Sequence, residues 1–232
     1  MVKLVNSVSE KDKYDIYKYF TKYGIKTDDE LHAICSTFFK DIPRTSVCPG
    51  HTAPFEFISD QFFDRTRKII AFANRSGGKT ENMAISNCLD LLFKSNCEVA
   101  HLGAIKKQAE KCYQYMERYL NNPSHNKVLF DQIVQFKRGS SVFKNGSSID
   151  ILTGTMNGVN SPHPQRARID EVELMDWNIL NEALSMSQSA PNIQGLDCFA
   201  STRKYSFGSF QKLLDVAEEK DLHLELKLVA DI

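Results

Sequence analysis

The sequence predicts an α/β protein whose mostly parallel central sheet is flanked by helices, with a small helical region at the N-terminus. Two observations carry this prediction. Short apolar runs alternate along most of the chain with segments in which apolar residues recur every three or four positions, as on one face of a helix. Such alternation favours parallel strands covered on both faces. The chain has 232 residues, enough for one sizeable domain with a buried core.

The first fifty-odd residues are predicted to be helical and separate from the rest of the chain. Ser9 is placed to cap a first helix, and Thr27 with Glu30 forms a capping box before a second one. A connector bounded by prolines comes next. The predicted organisation is a helical region with its connector over 1–53 and an α/β domain over 54–232.

Five strands and four helices are predicted in the α/β domain, with a hairpin and an edge strand. The strands are placed at 68–73, 97–102, 148–152, 167–170 and 196–200, and the helices at 80–93, 106–120, 178–186 and 210–220. Asn145 and Gly146 predict a hairpin turn before the third of these strands. Strict alternation of Leu with polar residues over 222–228 predicts a half-exposed strand near a sheet edge.

The most informative motif runs from Ala73 to Thr80 and joins the first of these strands to the first of these helices. Gly77 and Gly78 would let backbone N–H groups curl around phosphate oxygens, and the helix N-terminus adds partial positive charge. Lys79 would reach the β- and γ-phosphates, and the Thr80 hydroxyl would bind Mg²⁺. Ala73 replaces the first glycine of the pattern G-x-x-x-x-G-K-[ST], so an accidental surface turn is the alternative. The flanking strand and helix favour a variant phosphate-binding loop, and therefore a P-loop NTPase that binds a nucleoside triphosphate.

Composition and charge set limits on the class of protein. The 29 basic residues balance the 29 acidic ones, so no overall positive charge advertises a nucleic-acid partner, although a local basic patch is compatible with this balance. The six cysteines are scattered through apolar contexts, which is typical of reduced, buried thiols in an intracellular protein. A polar N-terminal segment and the lack of a long apolar run predict a soluble, cytosolic protein.

A zinc site is conceivable at Cys48 and His51, with Cys35 upstream. Structural zinc needs four ligands, and no second close pair of ligands occurs later in the sequence. A turn at Pro49 and Gly50 with incidental Cys and His is therefore favoured.

Asp170 and Glu171 are the best candidates for the acidic element that a phosphate-binding loop needs. An aspartate that ends a strand can bind the metal through its hydration shell, and the neighbouring glutamate can orient and deprotonate the attacking water. The alternative is an acidic surface turn. Arg166 and Arg168 weaken the strand prediction here, because apolar residues are expected at their positions.

Ser201 and Thr202 follow the next predicted strand. Ligands of parallel sheets bind at the carboxyl ends of strands, so both hydroxyls are predicted to face the γ-phosphate and to sense its loss. Ordinary helix capping is the competing explanation.

Together these elements resemble a known family, the large terminase subunits of tailed phages. The run from Arg75 to Thr80 resembles that family's R-x-x-G-K-[ST] loop, which often lacks the first glycine. The stretch 163–173, with sequence HPQRARIDEVE, is similar to its metal-binding and catalytic strand. The stretch 200–202 resembles its coupling motif, which links hydrolysis to DNA movement. The resemblance covers about residues 54–220.

The resemblance implies roles for individual residues. Lys79 and the amides of the loop, which includes Ser76, Gly77 and Gly78, would hold the phosphates of ATP. Thr80 and Asp170 would bind Mg²⁺, Glu171 would activate water, and Ser201 with Thr202 would form the coupling motif. Arg75 matches an arginine proposed to touch the γ-phosphate. Gln61 lies where the family has an adenine-reading segment, and the alternative for Gln61 is a solvated helix position.

The resemblance also implies partners and a location. Such proteins are ATPase motors that translocate double-stranded DNA into a preformed procapsid, as a homo-oligomeric ring with a portal protein and a small terminase subunit. A location in the cytoplasm of the infected host cell, without membrane attachment, is implied. The family's carboxy-terminal nuclease domain has no counterpart before Ile232, so DNA cleavage is not expected of this chain. Candidate DNA contacts, each equally compatible with a solvated surface, are Lys137, Arg138, Lys144, Arg203 and Lys204.

Other functions remain open at this stage. A helicase-type, nucleic-acid-stimulated ATPase would have the same broad architecture but would unwind strands and prefer single-stranded nucleic acid. A non-hydrolysing nucleotide switch or assembly module is disfavoured by Glu171, because a switch needs no water-activating carboxylate. A small-molecule kinase is less favoured still, since the sequence shows no lid-like arginine cluster.

Overall fold

An eight-stranded sheet forms the centre of the molecule in the computed structural model, which describes residues 8–46, 48–74, 77–137, 139–160, 163–219 and 225–229. The strands are β1 Lys68–Ala73, β2 Glu98–Gly103, β3 Ile133–Lys137, β4 Ser140–Phe143, β5 Ser148–Thr153, β6 Arg166–Asp170, β7 Leu196–Ser201 and β8 Glu225–Val229. Their order across the sheet is β3-β4-β5-β2-β6-β7-β1-β8. Every neighbouring pair from β5 to β8 is parallel, and β3 and β4 extend one edge in antiparallel fashion. The predicted, mostly parallel sheet is confirmed.

Helices cover both faces of this sheet, as predicted. They are α1 Glu10–Tyr23, α2 Asp28–Phe38, α3 Pro54–Phe62, α4 Lys79–Phe93, α5 Lys106–Leu120, α6 Pro123–Phe130, α7 Met156–Asn160, α8 Trp177–Ala183 and α9 Ser209–Glu219. Neighbouring residues of β1 point to opposite faces: Ile69 packs in the hydrophobic cluster that includes α4, and Ile70 in the cluster that includes α8 and α9. Apolar residues next to each other in this strand are therefore both buried, as expected for a strand between two helical layers.

Capping residues determine where the N-terminal helices begin. The Ser9 hydroxyl accepts a hydrogen bond from the Asp12 amide at 3.2 Å, and Thr27 and Glu30 form both bonds of the predicted capping box. Pro54 occupies the first turn of α3, where a missing N–H costs nothing. Both predicted helix starts are confirmed.

Several short elements have no counterpart among the predicted ones, and one helix is shorter than expected. The sequence signals missed α3, α6, α7 and β3, because elements of five to nine residues are too short for a clear periodic pattern. The helix predicted over 178–186 ends at Ala183. The other three predicted helices and the five strands predicted with them agree with the structure within one residue at each end.

The predicted hairpin and edge strand are both present. Gly146 has φ 83°, which a turn between β4 and β5 requires, and the Phe143 amide donates to the Ser147 carbonyl at 2.9 Å. β8 lies at the edge of the sheet, beside β1. Residues 220–224, part of which belongs to the predicted edge segment, lie outside the described residues.

The N-terminal helices pack against the sheet domain. Tyr17 of α1 and Leu31 of α2 belong to the same hydrophobic cluster as Met83 and Leu89 of α4. The Tyr17 hydroxyl donates to the Leu92 carbonyl at 3.3 Å, and the Asn126 side chain donates to the Phe38 carbonyl at 2.8 Å. Residues on both sides of the boundary predicted after residue 53 therefore pack in one hydrophobic cluster.

All six cysteines are free thiols; burial is confirmed for five of them and is wrong for Cys48. Cys48 is exposed and precedes a turn in which the His51 amide donates to the Cys48 carbonyl at 3.2 Å, whereas Cys35 is buried on α2. Within the described residues, no group of three or more His, Cys, Asp or Glu side chains is arranged to hold a metal ion. None of the described helices combines the length and apolar character needed to cross a membrane.

Candidate active site

The loop after β1 and the start of α4 form one wall of the candidate site. Gly78 adopts φ 65°, a left-handed conformation that favours glycine, and its carbonyl accepts the first bond of α4 from Asn82 at 2.8 Å. The N-terminal amides of α4, at Lys79 and Thr80, therefore have no earlier helical carbonyl to bond and are suited to bind an anion. Arg75 and Ser76 lie outside the described residues.

The Lys79 ammonium group connects this loop to the end of β7. It donates to the Asn74 carbonyl at 2.9 Å and to the Thr202 hydroxyl at 2.9 Å, and Lys79 is only 6% exposed. The Thr202 hydroxyl donates in turn to the Ala73 carbonyl at 2.9 Å. Lys79 and Thr202, which are 123 positions apart in the sequence, thus form one connected group of polar atoms.

Thr80 and Asp170, the two predicted metal ligands, contact each other directly. The Thr80 hydroxyl donates to the Asp170 carboxylate at 2.6 Å, and the second carboxylate oxygen accepts the Glu171 amide at 3.0 Å. Burial raises the pKa of Asp170, and repulsion by Glu171 adds to that shift, while the Thr80 hydrogen bond opposes it. A cation at this position would offset the cost of the buried negative charge.

Glu171 has an unusual backbone conformation directly after β6. Its φ of 56° and ψ of 45° place it in the left-handed region, which residues with a Cβ adopt reluctantly. Non-glycine residues held in this way concentrate at functional sites, because the surrounding structure must impose the conformation. The turn brings Glu171 to the cavity, whereas Asp170 beneath it is 1% exposed.

A cavity of about 510 Å³ brings most of the predicted residues together. It is lined by Gly77, Gly78, Lys79, Thr80, Glu81, Gln108, Lys111, Tyr115, Glu171, Leu174, Thr202 and Lys204. The cavity lies at the carboxyl ends of β1, β6 and β7, where parallel sheets place their ligands. The geometry therefore unites three segments that are far apart in the sequence.

Ser201 has a different environment from Thr202. Its side chain is fully buried and does not line the cavity, and its hydroxyl accepts a hydrogen bond from the Glu173 amide at 3.0 Å. Of the predicted pair, Thr202 is the residue that reaches the cavity, while Ser201 joins β7 to the turn that carries Glu171.

Gln61 belongs to a buried polar network and does not line the cavity. Its side-chain carbonyl accepts a hydrogen bond from Arg168 at 2.8 Å, and its amide donates to the Phe57 carbonyl at 2.8 Å. The solvated position considered for Gln61 is wrong, because the side chain is fully buried. The adenine-reading position finds no support either, since both ends of the side chain are occupied by protein partners.

The same network explains the two arginines of β6. Arg168 is fully buried and also bonds Asn87 and Asp90, at 2.9 and 2.5 Å, and Arg166 pairs with Asp64. Burial opposes ionisation of Asp90, but the nearby cations outweigh it and hold its pKa well below the usual range. These charges fix β6 against α4, which positions Asp170 opposite Thr80.

Several residues of the cavity were not identified from the sequence. Gln108, Lys111 and Tyr115 form one face of α5, and their i, i+3 and i+7 spacing is a signal that could have located this wall. Glu81 accepts hydrogen bonds from Lys40 at 2.7 Å and Tyr119 at 2.8 Å. Burial opposes the charge of Glu81, yet these two hydrogen bonds lower its pKa overall.

The candidate DNA contacts that the structure describes are all exposed. Lys204 lines the cavity, and Lys137 lies at the end of β3; Lys144 and Arg203 complete the set. Arg138 lies outside the described residues. A contact with DNA stays a prediction for each of them.

Solved phage proteins have this fold, although the sequence matches no protein-family model and no curated protein. The large terminase of bacteriophage HK97 is similar with a TM-score of 0.65 and 16% identity, over 88% of this chain and 44% of that one. The large terminase of a thermophilic bacteriophage gives a TM-score of 0.53 and 14% identity, over 75% and 44% of the two chains. The same thermophilic phage protein in complex with ATP-γ-S gives 0.54 and 15%, over 75% and 43%.

These similarities confirm the predicted resemblance to phage large terminases at the level of the fold. Identities of 14–16% show a shared architecture and leave the activity to be argued from the site. The chain spans less than half the length of the solved terminases that it resembles.

Proposed function

We propose that this chain is the ATPase motor domain of a viral DNA-packaging terminase, which hydrolyses ATP to translocate double-stranded DNA into a procapsid. The observation that carries the proposal is the 2.6 Å contact between Thr80 and Asp170, in a cavity that also contains Lys79 and Glu171. The large terminase of the thermophilic bacteriophage, which shares the fold, has been solved with ADP and with ATP-γ-S. This supports a nucleotide ligand for the cavity of this chain.

Phosphate binding follows from the loop after β1. The amides at the N-terminus of α4 and the Lys79 ammonium group provide hydrogen-bond donors and positive charge for the β- and γ-phosphates. Arg75, by its place in the loop, would add a second positive charge at the γ-phosphate as negative charge builds up there.

The donor set at Thr80 and Asp170 fits Mg²⁺. Both side chains offer oxygen atoms, which this hard cation prefers, and it commonly binds through one or two protein oxygens together with phosphates and water. The burial that raises the pKa of Asp170 is a cost that a bound cation would relieve. When bound, Mg²⁺ neutralises phosphate charge in the transition state.

Hydrolysis is assigned to Glu171. Its carboxylate accepts a proton from water while the water oxygen forms a bond to the γ-phosphorus. The bond between the γ-phosphorus and the bridging oxygen breaks, and its electron pair remains on ADP, so the products are ADP and inorganic phosphate. The imposed backbone conformation of Glu171 fixes where its carboxylate can act.

Thr202 would transmit a change in the occupancy of the nucleotide site to the rest of the domain. Its hydroxyl bonds both Lys79 and the Ala73 carbonyl, so a change in the position of Lys79 alters a contact at the end of β7. Ser201 supports this strand end from inside the domain. In the proposed motor, double-stranded DNA, a portal protein, a small terminase subunit and further copies of this chain in a ring are the partners, in the cytoplasm of the infected host cell.

The proposal is tested by steady-state ATP hydrolysis of the wild type and of Glu171→Gln, each with double-stranded DNA, with single-stranded DNA and without DNA. We expect hydrolysis in the wild type and a loss of at least about 100-fold in turnover for the variant, because a general base is removed while the volume is kept. Binding of Mg²⁺ and ATP-γ-S should be retained.

Glu182→Gln, an exposed position on α8, makes the same chemical change away from the cavity and should leave turnover unchanged. Near-normal hydrolysis by Glu171→Gln would overturn the mechanism. Stimulation by double-stranded DNA supports the packaging motor, whereas stimulation by single-stranded DNA alone would point to a helicase-type ATPase.

A further inference from the structure

We propose that Glu173 is a positioning residue of this site, which holds the loop between β7 and α9 so that Thr202 and Lys204 keep their places at the cavity. This β7–α9 loop comprises residues 202–208. The inference rests on the proposed ATPase function, and it assigns a role to a residue that does not itself line the cavity.

The Glu173 carboxylate accepts hydrogen bonds from three backbone amides, two in the β7–α9 loop and one in the first turn of α9. One oxygen accepts the amides of Lys204 and Tyr205, at 3.1 and 2.9 Å, and the other accepts the amide of Phe210 at 3.1 Å. Phe210 lies in the first turn of α9, so the carboxylate also compensates the positive end of that helix. Bonds of this kind to an ionised group are about twice as strong as neutral ones.

The surroundings of Glu173 leave it little freedom. The residue is 7% exposed, and the loop approaches so closely that a Cβ added at Gly208 would lie 2.5 Å from both carboxylate oxygens. A Cβ at Gly208 therefore requires the Glu173 carboxylate to shift, and that shift disturbs its hydrogen bonds to the three amides.

Glu173 is linked to the catalytic turn through its own backbone. Its amide donates to the Ser201 hydroxyl at 3.0 Å, and it lies two positions after Glu171. Nearby, the Ser209 hydroxyl donates to the Met175 carbonyl at 2.7 Å. These hydrogen bonds therefore connect the β7–α9 loop to the turn that contains the proposed base, Glu171. A displacement of either segment displaces the other.

The expected effect is on turnover more than on nucleotide affinity. In the part of the chain that the structure describes, the Lys79 ammonium group bonds the Asn74 carbonyl and the Thr202 hydroxyl, whereas the Glu173 carboxylate bonds amides after β7, so most of the phosphate-binding groups stay in place. The groups that shift are Thr202, Lys204 and the turn at Glu171. A displacement of about 1 Å in reacting or positioning groups is enough to lower a rate about 100-fold.

The contact between the Glu173 carboxylate and the three amides can be disturbed by a substitution at Glu173 or at Gly208. Glu173→Gln keeps the shape but presents an NH₂ group to at least one of the three amide donors, and Gly208→Ala displaces the carboxylate without changing Glu173 itself. For each variant and for the double variant, we would measure the Kd of Mg²⁺ and ATP-γ-S and the turnover per nucleotide-binding site. Glu182→Gln again serves as the control for the chemical change.

We expect turnover per binding site to fall about 10- to 100-fold in each single variant, with the Kd changed by less than about threefold. The double variant should lose no more than the worse single variant, because both changes break one contact. Unchanged turnover, additive losses, or an equal loss of affinity and turnover would overturn the proposal.

Hydrogen exchange separates this inference from the proposed function. The amides of Lys204, Tyr205 and Phe210 should exchange faster in both single variants than in the wild type, whether or not the chain hydrolyses ATP. If the wild type is inactive, the ATPase proposal fails, and unchanged exchange at these three amides would then overturn the positioning role by itself.

Discussion

A single ammonium group, that of Lys79, connects the loop after β1 to the end of β7. It is nearly buried and bonds the Asn74 carbonyl and the Thr202 hydroxyl. We expect Lys79→Ala to weaken the binding of Mg²⁺ and ATP-γ-S at least about 10-fold, since bonds between charged partners contribute about 1.5–3 kcal/mol. Titration calorimetry measures this, with Lys107→Ala on the exposed side of α5 as the control. Equal affinities of the two variants would contradict phosphate binding by Lys79.

Arg75 is predicted to act on the rate of hydrolysis. If its guanidinium stabilises charge that develops at the γ-phosphate, Arg75→Ala lowers turnover by a larger factor than it lowers affinity. Steady-state rates at saturating ATP, together with the Kd for ATP-γ-S, separate the two effects. A loss of affinity alone would make Arg75 a binding residue.

Sequence patterns identify those residues of the candidate site that belong to a short motif. The loop around Lys79 and the pair Asp170 and Glu171 have short motifs with a physical reason behind them. The role of Glu173 is invisible in the sequence, because its partners are backbone amides more than thirty residues away, and backbone amides leave no sequence signal. The structure does not place Ser201 in the cavity, because its side chain is buried at the end of β7, whereas Thr202, the first residue after that strand, lines the cavity.

At the scale of elements, β6 shows where hydropathy fails. Arg166 and Arg168 argue against a strand, yet both are fully buried within it. Their charges are matched by Asp64 and Asp90, which come from other elements, and only the folded chain brings these partners together. Sequence patterns predict the long elements of this fold well, because the spacing of apolar residues within one element shows which of its positions are buried. The burial of a charged residue depends instead on an oppositely charged partner from another element, which the local sequence does not show.

Asp197, at the start of β7, gives this strand a pH-dependent stability. Its carboxylate accepts the Ser187 amide at 3.0 Å, and burial raises its pKa to about 6, above the usual value of about 3.9. The folded state therefore holds a proton that the unfolded state releases, so the contribution of Asp197 to stability falls as the pH rises from about 4 to about 6. A shift of about two units corresponds to about 3 kcal/mol.

Asp197→Asn keeps the hydrogen-bond acceptor and removes this titration. Relative to the wild type, the variant should gain up to about 3 kcal/mol in free energy of unfolding at about pH 7.5 and little at about pH 4.5. Urea unfolding at both values measures the difference, with the exposed Asp15→Asn as the control. The same gain at both pH values would contradict a raised pKa for Asp197.

At the scale of the whole molecule, strand order decides which distant residues can meet. β7 lies between β1 and β6, so the loop after β7 lies between the loop after β1 and Glu171. This is why Thr202 can bond Lys79 while Glu173 bonds the remainder of the β7–α9 loop. The motifs predict which segments form the site, but their arrangement in space depends on the crossovers of the sheet, which no single motif encodes.

The packing of the N-terminal helices predicts that they belong to the same cooperative unit as the sheet. Leu31 of α2 is fully buried in the cluster that includes α4, so Leu31→Ala should lower the free energy of unfolding by about 2–5 kcal/mol. Trp177, the single tryptophan, lies on α8, which packs in the other hydrophobic cluster, and so reports from the opposite face of the sheet. We expect its fluorescence and the helical circular dichroism to shift together to lower urea concentration, with the exposed Lys18→Ala unchanged. If the Trp177 transition stayed in place while part of the dichroism moved, residues 1–53 would fold as a separate unit, and the packing across that boundary would contribute nothing to the stability of the sheet domain.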